Sequence, residues 1–246
     1  MPATTTRNTE RALQGVSDRL QLAMLRAVDR YHAAVEGGAT PVSAAVTLTT
    51  DLHAAIDEGY RTAYGRGAAV QGVDQTTVEL SPRAQGELSR QKRFAFRLAL
   101  DVARGFPSLP GRMSIGPRVT LYARALRGAY NAGAVGNVAN NYQIWWRLSE
   151  TEHCLDCPPL HFSSPYTITN IPTYPGAGAT TCRANCTCFL DFQPLDEASE
   201  PQDEPIPVRE RLLGNPGVVP EGLKLPTAAE KRIVRDFQHR IAFAAR

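Results

Sequence analysis

All five cysteines of this 246-residue chain lie within one short stretch, between Cys154 and Cys188. The first group is in "HCLDCPPLH" and the second is in "TTCRANCTCFL". The segment between them is rich in proline and glycine, carries little apolar mass and shows no long helical pattern. Such a segment has no core of its own, so it needs a covalent or metal anchor to become ordered. The cysteines therefore constrain how this part of the chain folds.

The number and spacing of the cysteines favour a metal site over disulfide bonds. An odd, tightly clustered set is not typical of a secreted disulfide framework, and the N-terminus lacks the basic and apolar regions of a signal peptide. Two residues separate the first pair, so a tight turn can direct both thiolates at one ion. Because structural zinc takes four ligands in a tetrahedron, we predict a structural Zn²⁺ bound by Cys154, Cys157, Cys182 and Cys186.

The residues leave alternatives open for this site. Cys188 can replace Cys182 as a ligand or remain a buried thiol on the following strand, and His153 and His161 are further candidate ligands. Disulfides or free thiols are the alternative to a metal. A catalytic zinc would have three protein ligands and an open position, whereas five available cysteines favour a closed site. A thioredoxin-type CxxC is disfavoured because two prolines directly follow the second cysteine and oppose a long helix.

The first 140 residues have the periodicity of helices, since apolar residues recur every three or four positions. Glycine pairs and Ser/Thr-Pro dipeptides punctuate this pattern and predict the helix ends. Four helices are predicted: one ending at Gly37-Gly38, one from Thr40-Pro41 to Gly65 and Gly67, one opening at Ser81-Pro82, and one from about Val119 to Asn140.

Two of these helices carry further expectations. The third is predicted to turn Phe94, Leu98 and Val102 inward. The second half of the fourth, "RGAYNAGAVGNVANN", is rich in small residues, which let a neighbouring backbone approach closely but weaken the isolated helix. Tertiary packing must therefore hold that segment.

The pattern changes at Tyr142. The aromatic, β-branched "YQIWWRLSE" predicts a strand and "CTCFLDF" a return strand. Residues 194–226 contain seven prolines and few large apolar side chains, which predicts an extended arm. We therefore predict an α+β protein with a helical region over 1–140, a β-rich zinc-stapled module over 141–193, a Pro-rich arm over 194–226 and a C-terminal amphipathic helix over 227–246.

Charge is concentrated in one part of the chain. The whole chain carries a formal net charge of +3, but ten Arg or Lys and only two acids lie between Arg83 and Arg127. This stretch could bind nucleic acid through phosphates, meet an acidic protein surface, or be a solvated helix face. No stretch approaches the roughly 18 apolar residues of a membrane helix, so no membrane partner is expected.

The cysteine pattern also resembles a known family. A Trp-bearing strand (Trp145 or Trp146), then Cys154-x2-Cys157, then "YPGAGATTCRANCTCFL" are similar to the C-terminal module of minor head proteins of tailed phages, the Mu F-like and head-morphogenesis group. The resemblance covers roughly residues 85–191. Other members carry a His-Pro-x-Cys-x-Cys ending, and Cys182 stands where they have that histidine.

This resemblance implies a structural role. It predicts a non-enzymatic protein of the virion head or head–tail junction, made in the host cytoplasm and present in multiple copies in a symmetric assembly. The implied partners are phage portal and capsid proteins, with packaged DNA as a further partner of the stretch from Arg83 to Arg127. The implied role of zinc is structural.

The alternative function is a zinc-containing DNA-binding or nuclease-like protein acting in DNA packaging. Its candidate catalytic residues are His161 and Glu152, beside the cysteines. The order of residues does not fit zinc deaminases, which place a Glu two positions after a ligand His. His161 lies in a Pro-rich segment without the ββ-helix unit of HNH nucleases.

Overall fold

The computed structural model describes residues 6–105, 114–149 and 153–195. The chain is mostly helical with a small two-stranded sheet, so the predicted α+β class is confirmed. The predicted C-terminal helix over 227–246, and the predicted arm beyond Leu195, lie outside the described residues. The elements in chain order are α1 (Thr6–Glu36), α2 (Pro41–Ala69), α3 (Pro82–Ala103), α4 (Ile115–Gly136), β1 (Tyr142–Arg147), α5 (Cys157–Phe162), a 3₁₀ turn (Arg183–Asn185) and β2 (Phe189–Pro194).

The starts of α2 and α3 follow the predicted signals. The Thr40 hydroxyl accepts a hydrogen bond from the Ser43 N–H at 3.2 Å, and Pro41 occupies the first turn. Ser81 caps α3 in the same way, accepting from the Ala84 N–H at 3.3 Å. Both side chains satisfy amide groups that have no partner inside the helix.

The prediction that α2 ends at Gly65 and Gly67 is wrong, because the helix continues to Ala69. The glycines are needed for packing. A Cβ at Gly67 would overlap the carbonyl oxygen of Tyr130 in α4, and a Cβ at Gly133 would overlap that of Tyr64 in α2. The two helices therefore cross backbone to backbone, and the close approach predicted for the Gly/Ala-rich half of α4 is confirmed.

The inward face of α3 differs from the prediction at one position. Leu98 and Val102 are buried as expected, but Phe94 is 44% exposed and Ala95 takes the inward position instead. The helical spacing of three and four residues from Leu88 through Ala95, Leu98 and Val102 explains the difference, since Phe94 lies one position off that face.

The two predicted strands form one antiparallel pair. Trp146 pairs with Leu190 and Ile144 with Phe192, and all four side chains are buried. Their face belongs to the same hydrophobic cluster as the four long helices. The alternation of buried and part-buried residues is that of a strand with one covered face.

The segment between the cysteine groups is better packed than predicted. Tyr166, Ile171 and Tyr174 are buried in the common hydrophobic cluster, so the expectation of a segment without apolar packing is wrong. The amide nitrogen of Asn131 in α4, which is fully buried, donates to the Pro175 carbonyl at 2.8 Å. The segment is thus anchored on α4 at one end of the helical region.

Within the described residues, no helix has both the length and the apolar character needed to span a bilayer.

Candidate metal centre

The first cysteine pair is held by a turn that leads into α5. The Cys157 N–H donates to the Cys154 carbonyl at 3.2 Å, and the sulfurs of the two residues lie 3.5 Å apart. Helix α5 begins at Cys157 and runs for only six residues, with prolines in its first turn. This short helix agrees with the prediction that the prolines oppose a long one.

The second group surrounds the 3₁₀ turn. Cys182 precedes the turn and Cys186 follows it, and the Asn185 N–H closes it by donating to the Cys182 carbonyl at 2.9 Å. Arg183 has a φ of 51°, a left-handed conformation that is uncommon outside glycine. Cys188 lies directly before β2, so the pairing of the two strands fixes its position.

The structure brings the two cysteine groups together. The sulfur of Cys154 lies 3.3 Å from that of Cys182 and 3.5 Å from that of Cys157. The sulfur of Cys157 lies 3.8 Å from those of Cys182 and Cys186. All five cysteines are free thiols, three of them buried and two partly buried.

These separations fit a thiolate-bound metal. With Zn–S near ~2.3 Å, the sulfur atoms at the corners of a tetrahedron are about 3.8 Å apart. The ligand atoms form two sets in which all members lie within 4.8 Å of one another: Cys154, Cys157 and Cys182, and Cys157, Cys186 and Cys188. The cluster is therefore compatible with a metal ion, and soft thiolates are the donors that thiophilic ions prefer.

The thiols perturb one another strongly. Hydrogen bonds to Cys182, Cys186 and Cys188, together with burial, raise the pKa of Cys157. Hydrogen bonds from Cys157 lower the pKa of Cys186 and lower that of Cys188 to about 4. Crowded thiols cannot all ionise without a cation, because like charges at this separation repel one another. A bound cation removes that conflict, which favours metal binding.

Arg127 of α4 binds the backbone of the second cysteine group. It is 8% exposed, and its guanidinium donates to the carbonyls of Cys186 at 2.6 Å, Thr187 at 3.2 Å and Cys188 at 2.6 Å. Burial lowers its pKa, while the nearby Cys186 and Cys188 oppose that shift. One buried cation thus fixes the backbone that carries two sulfur atoms.

Asp156 connects the two cysteine groups directly. It is buried, and one carboxylate oxygen accepts from both the N–H and the hydroxyl of Thr181, at 2.5 and 2.6 Å. Thr181 is the neighbour of Cys182, so this contact sets the register of one turn against the other. Sequence reasoning missed both Asp156 and Arg127, since nothing near either residue in the chain indicates its distant partner.

Most of the arginine-rich stretch contacts the protein itself. Arg83 donates to the carbonyls of Ile171 and Pro172 and lies over the Tyr174 ring, 4.4 Å from its centroid. Four further members also have internal partners: Arg90 with Ala177, Lys92 with Asp57, Arg118 with Asp101, and Arg124 with Asn185. Arg93, Arg97 and Arg104 are exposed. Much of the stretch thus connects the helices to one another and to residues 153–188, which we call the cysteine region.

The two histidines have different surroundings. The Nδ1 atom of His161, on α5, lies 2.7 Å from the Trp146 carbonyl, so Nδ1 carries the proton of the neutral ring and Nε2 keeps the lone pair. His153 Nε2 lies 2.8 Å from the Ser149 carbonyl, and its Nδ1 lies 3.7 Å from the sulfur of Cys188. Glu152, the other candidate of the alternative function, lies outside the described residues.

The chain matches no known protein family, no curated protein and no solved structure. The resemblance to phage minor head proteins therefore stays a prediction.

Proposed function

We propose that the chain is a structural minor head protein of a tailed phage, whose cysteine cluster binds zinc and gives the region after α4 a fixed surface for assembly. The observation that supports this proposal most is the convergence of cysteines that lie 28 residues apart, with the Cys154 and Cys182 sulfurs at 3.3 Å. The Cys-x2-Cys and Cys-x-Cys patterns behind the resemblance are the parts that meet in space.

The proposed ligand set is Cys154, Cys157, Cys182 and Cys186, and the proposed ion is Zn²⁺. Zinc is redox-inert, and its d electrons impose no geometry of their own, so it accepts four thiolates in a tetrahedron. These properties suit a site whose task is to hold two turns together. When bound, it would supply structural cross-linking and no chemistry. Arg127 and Asp156 hold the ligand-bearing turns in place with or without the ion.

An assembly role also agrees with how the cysteine region is fixed. Arg83, Arg90, Arg124 and Arg127 connect it to α3 and α4, so it presents one surface relative to the helices. Leu155 and Phe162, beside the first turn, are 69% and 77% exposed. We propose portal or capsid subunits as the partners of this end of the protein, in a symmetric assembly of several copies.

Complementation of a phage that lacks the gene tests this function. Expression of the wild-type chain should restore heads, and Cys154→Ser should fail to restore them because one metal ligand is lost. The matched control His32→Ala changes an exposed residue on α1 and should restore heads fully. Heads that form normally without the gene, or purified virions without the protein, would overturn the proposal.

The same assay separates this proposal from a nuclease-like role. His161→Ala should restore infectious particles under the structural role, and should yield particles without packaged DNA if the chain acts as a nuclease. A portal gene upstream and a scaffold or major capsid gene downstream would add independent support.

A further inference from the structure

We infer that the cysteine cluster binds two metal ions rather than one, the second held by Cys157, Cys186, Cys188 and His153. This inference rests on the proposed metal site and assigns Cys186 to the second ion. Its basis is the arrangement of six donor atoms among the described residues.

The five sulfur atoms form two triangles that share one corner. Cys157 belongs both to the set with Cys154 and Cys182 and to the set with Cys186 and Cys188. A single tetrahedral site would bring four sulfurs to roughly equal separations, whereas two triangles with a common corner would let each ion take one triangle, with the shared thiolate as a bridge. The shared corner, Cys157, is 1% exposed and lies between the other sulfurs.

His153 lies beside the second set, next to Cys188. Its Nε2 atom lies 2.8 Å from the Ser149 carbonyl, and only an N–H can hydrogen-bond to that oxygen. In the neutral ring the proton is therefore on Nε2, and the lone pair of Nδ1 faces the Cys188 sulfur at 3.7 Å. A ring fixed by a backbone carbonyl through one nitrogen, with the other free to bind, is the usual arrangement of a metal-ligating histidine.

The count of donors fits two tetrahedral ions. Two such ions need eight coordination positions in total. The six donors supply seven of them, because Cys157 is the one sulfur that both triangles share and would bridge the two ions. Cys154 and Cys182 then belong to the first ion, Cys186, Cys188 and His153 belong to the second, and a solvent molecule would fill the eighth position.

Charge balance favours the second ion as well. Four thiolates around one divalent ion carry a formal charge of −2, and five thiolates around two such ions carry −1. The site is largely buried, and uncompensated charge in a buried site is costly. The guanidinium of Arg127, bound to the carbonyls of Cys186 and Cys188, supplies one positive charge close by. Two ions therefore leave less negative charge for the protein to compensate.

Metal stoichiometry tests the inference directly. The full-length chain, stripped of metal and reduced, is titrated with Cd²⁺ and followed by native mass spectrometry and ¹¹³Cd NMR. We expect two bound ions and two resonances. Both Cys188→Ser and His153→Ala should bind one ion and lose one resonance, while the exposed His32→Ala control should still bind two.

The outcomes separate this inference from the proposed function. One ion in the wild-type chain, or two ions retained in both variants, would overturn the second site and leave the first intact. No bound ion would overturn the proposed metal site itself. Circular dichroism of each variant shows that the helices are folded, and the two independent substitutions ensure that a folding defect in one does not decide the result.

Discussion

At the scale of single residues, Arg127 makes three hydrogen bonds to the backbone of the cysteine region. It is one of ten basic residues between Arg83 and Arg127, and its sequence context does not distinguish it from the others. Only the fold shows that it is buried and bonded to three carbonyls about sixty residues away. The four proposed cysteine ligands could be chosen from the sequence because their spacing is local, whereas a contact over this distance has no local signal.

Replacing Arg127 should therefore weaken both the fold and metal binding. Arg127→Met leaves the carbonyls of Cys186 and Cys188 without their charged donor, which should lower the free energy of unfolding by about 3 kcal/mol. Loss of such a supporting contact should weaken zinc binding by about 10- to 100-fold. Urea unfolding and competition with a chromogenic chelator measure the two effects.

Arg93→Met is the matched control for this experiment, since Arg93 is exposed on α3. It should change neither the unfolding free energy nor the zinc affinity appreciably. Equal zinc affinity in the Arg127 variant and the wild-type chain would contradict the role assigned to Arg127.

At the scale of elements, glycines let α2 and α4 cross in backbone contact, and α4 also contacts the cysteine region. The capped starts of α2 and α3 were predictable, because Thr40-Pro41 and Ser81-Pro82 are local signals. The role of Gly65 and Gly67 was not predictable. A glycine near the end of a periodic segment looks the same in the sequence whether it ends a helix or lets a neighbouring helix approach closely. A small residue of α4 also allows close contact with the cysteine region, since a Cβ at Gly128 would lie 2.7 Å from the Cα of Ala177.

A methyl group at the helix crossing should be poorly tolerated. In Gly67→Ala the new Cβ would overlap the Tyr130 carbonyl, so α2 and α4 must separate, and we expect a loss of about 3 kcal/mol in unfolding free energy. Thermal and urea denaturation of the purified variant measure this loss.

Gly86→Ala provides the comparison. Gly86 is a helical glycine of α3 with no atom within 4 Å of an added Cβ, so alanine should stabilise the protein by roughly 0.5–1 kcal/mol. Equal stability of the two variants would contradict the backbone contact between α2 and α4.

At the scale of the whole molecule, the cysteine region and the helices share one hydrophobic cluster. Sequence patterns predicted the α+β class and the two strands. They also predicted that only a metal or covalent anchor would order the cysteine region. The structure shows that buried aromatic residues and arginine contacts also hold this region. The apolar residues of the segment are too widely spaced for a periodic signal, so only the packed fold reveals them.

The shared core means that metal binding should stabilise the entire described fold. A structural zinc ion bound by thiolates contributes on the order of 10 kcal/mol when its ligands are assembled only in the folded chain. Metal binding should therefore also stabilise the helices, because Arg127 and the segment packed on α4 connect them to the cysteine region.

The most direct test of the central claim is the metal content of the purified full-length chain, with its unfolding temperature measured before and after metal removal. We predict at least one tightly bound zinc ion per chain, and a lower unfolding temperature after a chelator removes it under reducing conditions. A chain purified without any bound metal, and with an unfolding temperature that neither zinc nor chelator changes, would contradict the account.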